Sequence, residues 1–122
     1  MRIKTIFVWG LLTVLVACST VGNSFHSDTA ALSQLVVGQT TPEDAVRILG
    51  AAPYIRQNLP DGTLAWHWQS IKASAYVGVT DNRLLVLQFR STDKGATWRF
   101  FRVLHAQNVS LPPGMPFGAV VN

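Results

Sequence analysis

The feature that most constrains this chain is an uninterrupted apolar run near its amino terminus. The run, Ile6–Ala17, carries no charge and follows two cations, Arg2 and Lys4. As a helix it would span roughly 18 Å, because an α-helix rises about 1.5 Å per residue, whereas the hydrocarbon core of a bilayer is about 30 Å thick. The run is therefore too short for a stable membrane span and is typical of a cleavable translocation signal.

The residues that close this run predict where the leader is removed. The segment Leu15–Cys18 resembles the lipobox of bacterial lipoprotein signals, where small residues admit the peptidase and the cysteine thiol accepts diacylglycerol. The resemblance implies a signal peptide at 1–17, a lipid on Cys18 and an acylated amino terminus, palmitate being a typical acyl group. At about 0.8 kcal/mol per buried methylene, several acyl chains make release from a bilayer negligible. The alternative is an ordinary signal peptide, or an uncleaved anchor, with a chance cysteine.

The residues after Cys18 favour one destination. Ser19 stands where an aspartate marks inner-membrane retention in lipoproteins of enteric-type bacteria, so we expect anchoring in the outer membrane, on its periplasmic side. Residues 18–27 are mostly small and polar, which predicts a flexible, lipidated tether with little order.

Length, charge and cysteine count exclude several classes of protein. Removing 17 of 122 residues leaves 105, enough for one small domain, which we place at 28–107. Without Arg2 and Lys4, eight Lys and Arg residues face six Asp and Glu, and a net charge of +2 is too small to indicate a nucleic-acid partner. Cys18 is the only cysteine, which excludes an intrachain disulfide and a cysteine-based zinc or redox site.

Two short helices are predicted at the start of the domain. Asp28 can cap the first, which would end before Gly38. Thr41 can cap the second, with Pro42 in its first turn and Gly50 at its end. The helices have apolar stripes to bury, formed in the first by Leu32, Leu35 and Val36 and in the second by Ala45, Val46, Ile48 and Leu49.

The rest of the domain predicts an antiparallel meander. Turn signals at 60–63, at Asp81-Asn82 and at 91–96 separate strands at 54–58, 64–69, 83–90 and 97–104, with a further strand at 71–79. The proline- and glycine-rich tail, 108–122, lacks regular structure and is expected to be mobile or to dock on binding.

Pairing Arg90 with Thr97 divides the last two strands into two faces. The predicted core face carries Leu85, Leu87, Phe89, Trp98 and Phe100. The opposite face carries Leu84, Val86, Phe101 and Val103, interleaved with Gln88, Arg90 and Arg99. This second face is more apolar than a solvated face needs, so it is either a contact surface or covered by the tail or a helix.

The register of the strand at 71–79 stays open at this point. One register directs Ala73, Ala75 and Val77 inward, and the other directs Trp66, Trp68 and Tyr76 inward. A bulge near Ser70 would accommodate both sets.

The sequence favours a protein without catalytic activity. None of the three histidines, His26, His67 and His105, lies in a motif typical of a general base that activates a nucleophile, or of a metal ligand. His67 lies between two tryptophans, and such a histidine is more often solvent-facing or hydrogen-bonded than a ligand. We therefore predict no enzyme, no cofactor and no metal, and rank a hydrolase using His67 or His105 last.

The domain resembles a known lipoprotein family between about Leu32 and His105. The segment Leu35–Thr40, the pairs Ala45-Val46 and Leu49-Gly50 with the following Pro53, the Trp66–Trp68 strand and the alternating Leu84–Phe89 are similar to the SmpA/BamE family of small outer-membrane lipoproteins. The resemblance implies an α+β fold in which two helices pack on a three-stranded antiparallel sheet, an architecture also found in β-lactamase-inhibitor-like domains.

The same resemblance implies a binding role without catalysis, supporting the machinery that inserts β-barrel proteins into the outer membrane. We therefore predict a protein-binding subunit in β-barrel assembly or envelope maintenance, and expect Leu84, Val86, Arg99, Phe101 and Val103 to contact the protein partner. The alternative is an inhibitor-like or secretion-system adaptor lipoprotein that uses the same fold to bind another periplasmic protein.

Overall fold

The computed structural model describes residues 18–22, 24–74 and 78–118, with side chains for 24–72 and 82–118. The predicted signal peptide, 1–17, lies outside the described residues. The described chain is an α+β fold with a five-stranded antiparallel sheet, rather than three strands, and two short helices. Its elements in chain order are β1 (Cys18–Gly22), α1 (Thr29–Leu32), α2 (Pro42–Leu49), β2 (Ile55–Asn58), β3 (Leu64–Ser74), β4 (Gly78–Arg90) and β5 (Arg99–Gln107).

Helix α2 has the boundaries that its sequence predicts. The Asp44 amide donates to the Thr41 hydroxyl over 3.0 Å, and the Thr41 amide donates back to the Asp44 carboxylate over 3.2 Å. This reciprocal capping satisfies two amides that the first turn of a helix leaves without partners. Gly50 ends the helix in the left-handed region at φ 74°, and a Cβ there would lie 2.7 Å from the His26 ring.

Helix α1 is shorter than predicted. It covers one turn, and Asp28 makes no capping hydrogen bond through its side chain. The following loop bonds to the sheet instead: the Gly38 amide donates to the Phe100 carbonyl, and the Phe100 amide donates to the Thr40 carbonyl. A helix this short is not stable alone, so its geometry follows the packing of Leu32 on the sheet.

The sheet is a long β3–β4 hairpin with shorter strands on either side. Strand β5 pairs with β4, while β1 and β2 share the opposite edge of β3. The predicted turns at 60–63 and 91–96 are confirmed. The predicted reversal at Asp81-Asn82 is wrong, because both residues lie within β4, opposite Lys72 and Ile71.

The strand predicted at 71–79 is therefore divided between β3 and β4. Trp68 is fully buried and Trp66 packs beside it against the core, as in the second of the two registers considered. The bulge lies beyond Lys72 rather than near Ser70. The side chains of Ala73, Ala75, Tyr76 and Val77 lie outside the described set.

One face of the sheet forms the hydrophobic core with the helices. Phe89 contacts Trp66 and Phe100 edge-on, with ring centroids 5.8 Å and 6.4 Å apart. The Trp68 indole donates to the Ala51 carbonyl over 2.8 Å, so its one polar group is satisfied. The core cluster comprises Phe25, Leu32, Leu35, Ala45, Leu49, Trp68, Leu85, Leu87, Phe89, Phe100 and Val103, with Trp98 partly buried against it.

Two register shifts between β4 and β5 change which residues share a face. Arg90 pairs with Arg99 rather than with Thr97, and Leu87 pairs with Val103 rather than with Phe100. Each shift inserts one extra residue into β5, first Phe101 and then Leu104. The prediction for Val103 is therefore wrong: the first extra residue turns it inward, where it is fully buried in the core.

Both predicted flexible ends are ordered where they are described. Cys18–Gly22 forms β1 rather than a loose tether, Phe25 is 4% exposed in the core, and the His26 amide donates to the Leu49 carbonyl. The tail packs Val109, Leu111 and Met115 against the core. It then runs parallel to β5, where the Val103 amide donates to the Pro116 carbonyl and the Gly118 amide to the Val103 carbonyl.

The turn between β4 and β5 makes stability sensitive to acid. The Asp93 carboxylate accepts from the Thr97 hydroxyl, the Thr97 amide and the Ser91 hydroxyl, which lowers its pKa to about 2. A carboxylate with a lowered pKa contributes stability above its unfolded pKa of about 3.9, and this contribution is lost as the pH falls towards 2. We expect Asp93→Asn to have a lower midpoint of urea unfolding than the wild type at pH 6. At pH 2 the difference between the two midpoints should be smaller, because the wild-type carboxylate is then largely protonated. A difference in midpoint that does not change with pH would contradict this prediction.

Candidate functional site

The face of the sheet opposite the core carries the candidate site, which we call the outer groove. Three rows of paired residues cross this face of the sheet: Gln69, Leu84 and Gln107; His67, Val86 and His105; and Ala65, Gln88 and Arg102. The groove is open to solvent and has a volume of about 790 Å³. The β2–β3 turn bounds it on one side and the tail on the other, and its lining is Gln57, Leu59, Asp61, Ala65, His67, Leu84, Val86, Gln88, Arg102, Leu104, His105 and Phe117.

The first extra residue in β5 brings Leu104 to the groove. Because that residue turns Val103 inward, alternation places Leu104 on the outer face, next to Leu84 and Val86. The second extra residue keeps His105 on the same face, where strict alternation after Leu104 would turn it inward. Phe117, which is 52% exposed, adds an aromatic ring from the tail. The accessible apolar surface of the groove is therefore that of the partly buried Leu84 and Leu104 and of the exposed Phe117 ring, with Val86 buried between them.

A chain of hydrogen bonds crosses the floor at one end. Arg102 Nε donates to Gln88 Oε1 over 2.6 Å, and Gln88 Nε2 donates to the Thr63 hydroxyl over 2.8 Å. The hydroxyl in turn donates to Asp61 Oδ1 over 2.6 Å. Gln88 is only 2% exposed, and both ends of its amide are satisfied. Buried and satisfied polar groups of this kind have well-defined geometry, because any other arrangement leaves one of them unpaired.

The Asp61 carboxylate at the end of this chain is ionised down to acidic pH. Hydrogen bonds from the Thr63 hydroxyl and amide lower its pKa, and the positive charge of Arg102 adds to the effect. Asp61 is thus committed to its own turn, where it accepts from Thr63 twice.

Two arginines share one aromatic ring beside the groove. The guanidinium carbons of Arg90 and Arg102 lie 4.2 Å and 4.9 Å from the centroid of Phe101, within the range of cation–π attraction. Phe101 is the first extra residue of β5, so the same irregularity that buries Val103 also presents this ring to both cations. The result is a concentration of positive charge at the Arg102 end of the groove.

The two histidines of the groove lie on either side of Val86. His67 Nε2 is 3.2 Å from Gln57 Oε1, in agreement with the interpretation of His67 as a hydrogen-bonded residue. Burial lowers the pKa of His67, and repulsion between the two imidazoles in their charged forms adds to this. No described carboxylate hydrogen-bonds to either ring, and the described residues contain no group of three or more potential metal ligands.

The structure places the predicted site residues in different surroundings. Leu84 and Val86 line the groove, and Phe101 lies under the two arginines. Arg99 is outside the groove, next to a smaller pocket, where it donates to the Trp98 carbonyl. Val103 is in the core, and the side chain of Cys18 lies outside the described set.

Sequence reasoning missed Gln88, Arg102, Leu104 and Phe117 as groove residues. Gln88 was placed on this face, but only as a residue interleaved among apolar ones. Leu104 and Arg102 reach the groove through register shifts that strict alternation does not predict. Phe117 reaches it only because the tail docks along β5.

Comparisons with protein-family models, with curated proteins and with solved structures found no match to this chain. Within the described ranges, no helix has the length and apolarity needed to cross a bilayer.

Proposed function

We propose that this chain is a lipoprotein without catalytic activity, anchored in the outer membrane through a lipid on Cys18, that binds another envelope protein through the outer groove. The observation that carries the proposal is the sheet itself. One face packs on the helices, whereas the other has an open groove in which the partly buried Leu84 and Leu104 and the exposed Phe117 remain accessible. Concave, accessible apolar surface of this kind is characteristic of binding sites.

The position of Cys18 determines where an anchor would attach to the fold. It is the first residue of β1 and pairs with Ser74 of β3. An acyl group on its sulfur would therefore join the sheet directly, without an intervening tether. The lipobox resemblance of Leu15–Cys18 supplies the chemistry, and the sheet would be held next to the bilayer.

The SmpA/BamE resemblance favours a partner in β-barrel assembly. In that family two helices pack on an antiparallel sheet, and a comparable arrangement is supported here by the one core cluster that Leu32 and Leu49 share with residues of β3, β4 and β5. An inhibitor-like or secretion-system adaptor is the second candidate, since its binding face would have the same physical character.

Photocrosslinking from the groove tests the proposal. We expect p-benzoylphenylalanine at Phe117, which is 52% exposed and lines the groove, to give an adduct with a component of the β-barrel insertion machinery. The matched control is the same substitution at Tyr54, which is 51% exposed but does not line the groove. An adduct with another periplasmic protein would favour the adaptor, and equal adducts at both positions, or none at Phe117, would contradict binding through the groove.

A further inference from the structure

Arg102 is held in one position from three sides. Its Nε donates to Gln88, which is itself buried and bonded to Thr63. Its guanidinium lies over the Phe101 ring. On the third side it lies against Gly118, where an added Cβ would be 2.6 Å from both Cδ and Nε of the arginine. Because the side chain is already held in one conformation in the free protein, it has little conformational entropy left to lose on binding a ligand.

This immobilised side chain forms no direct ion pair among the described residues. No described carboxylate lies within ion-pair distance of Arg90 or Arg102. Asp61 is near enough for the charge of Arg102 to lower its pKa, but its carboxylate accepts hydrogen bonds from Thr63 and not from Arg102. Only Nε of Arg102 has a recorded hydrogen bond among the described residues, which leaves its two Nη groups available as donors. A guanidinium in this state matches a carboxylate, which it can bind through two parallel hydrogen bonds.

The shape of the groove favours a protein segment over a small anionic lipid. A pocket for a small ligand usually encloses 70–90% of the ligand, whereas this groove is open along the sheet. Its margins carry polar side chains, Gln57 and His67 on one side and His105 on the other, that can meet the polar backbone of an extended peptide.

We infer that the outer groove binds a segment of a partner protein in which an acidic side chain pairs with Arg102 while a neighbouring apolar side chain lies on Leu84, Val86 and Leu104. This inference rests on the proposed protein-binding function and specifies the chemistry of the partner. Arg90, on the same ring as Arg102, adds long-range attraction for the acid.

Peptide selection on the intact lipoprotein tests the inference. The mature, lipidated protein in phosphatidylcholine nanodiscs would be used to select from a library of random displayed octapeptides. The best binder would be synthesised with its acidic residue and with the corresponding amide. We expect selected peptides to combine Asp or Glu with apolar residues, and the amide version to bind roughly ten-fold more weakly, as expected for loss of one charge-assisted contact.

Substitutions of the arginines give the second readout. Arg102→Gln should weaken the acidic peptide about ten-fold and remove the difference between acid and amide. Arg102→Lys, which keeps the charge without the fork of donors, should retain part of that difference. Arg99→Gln is the matched control, because Arg99 lies outside the groove, and it should bind like wild type.

Three results would overturn the inference. The first is selection of peptides without acidic residues, and the second is an unchanged preference for acid in Arg102→Gln with circular dichroism showing it folded. The third is that adding phosphatidylglycerol to the nanodiscs abolishes peptide binding by the wild type but does not change the residual binding by Arg102→Gln. That result would assign the site to a lipid headgroup. The Phe117 crosslink is independent of these results. A partner adduct at Phe117 together with no preference for acidic peptides would refute this inference and leave the proposed function standing.

Discussion

Replacing Leu49 with aspartate is expected to leave most of the domain unfolded at room temperature. Leu49 is fully buried in the core cluster at the end of α2. Removing a buried leucine costs about 2–5 kcal/mol, and an unpaired carboxylate in its place adds several more. Small domains are stable by only about 5–15 kcal/mol, so the substitution consumes most or all of that margin.

Urea unfolding followed by tryptophan fluorescence measures this effect, since Trp68 lies in the same core cluster. The matched control is Val37→Asp, which introduces the same charge at a side chain that is 45% exposed in the loop after α1. We expect the control to change the free energy of unfolding by about 0.5 kcal/mol or less. Similar midpoints for the two variants would show that the apolar stripe of α2 is not part of the core.

Replacing Cys18 with alanine is expected to move the protein from the membrane to the soluble periplasmic fraction. For a clear result the variant is exported with a general cleavable signal in place of residues 1–17, so that no apolar leader stays attached. The physical reason is that the acyl chains would supply the whole anchor, whereas a folded domain with a net charge of +2 after removal of the leader has little affinity of its own for a bilayer.

Fractionation and mass spectrometry of the processed chain measure this outcome together. The wild-type chain should begin at Cys18 and carry the mass of a diacylglycerol and a further acyl group. Ser19→Ala is the control, because it changes the neighbouring β1 residue and leaves the thiol in place. An unmodified thiol in the wild type, or a Cys18→Ala chain that stays on the membrane, would refute the anchor.

Local chemistry accounts for the elements that the sequence predicted well. The Thr41 and Asp44 side chains cap α2 because a helix start needs acceptors for its free amides, and that need does not depend on the rest of the fold. The turns at 60–63 and 91–96 likewise follow from residues within them, such as Asp61 bonding to Thr63. Asp81-Asn82 has the composition of a turn, but these residues are paired with β3, so long-range pairing overrode the local signal.

The sequence was sufficient to locate the binding face but not to identify all the residues that form it. The outward positions of Leu84 and Val86 follow from alternation along β4, because this part of the strand pairs with β3 without a register shift. The residues contributed by β5 could not be assigned, since one extra residue in a strand reverses the facing of everything after it. Whether a strand accommodates such a residue depends on the packing of both faces, which a single sequence does not show.

The amino acids alone specified the leader pattern, the caps of α2, the sharp turns and the apolar residues of β4, because each depends on neighbours within a few positions. Only the folded chain assigned Val103 to the core, Leu104 and Arg102 to the outer groove, β1 to the edge of β3 and Phe117 to the groove wall. The physical reason is that these positions depend on hydrogen bonds and packing between segments far apart in the chain. Such contacts form cooperatively, so none of them can be read from a short stretch of sequence.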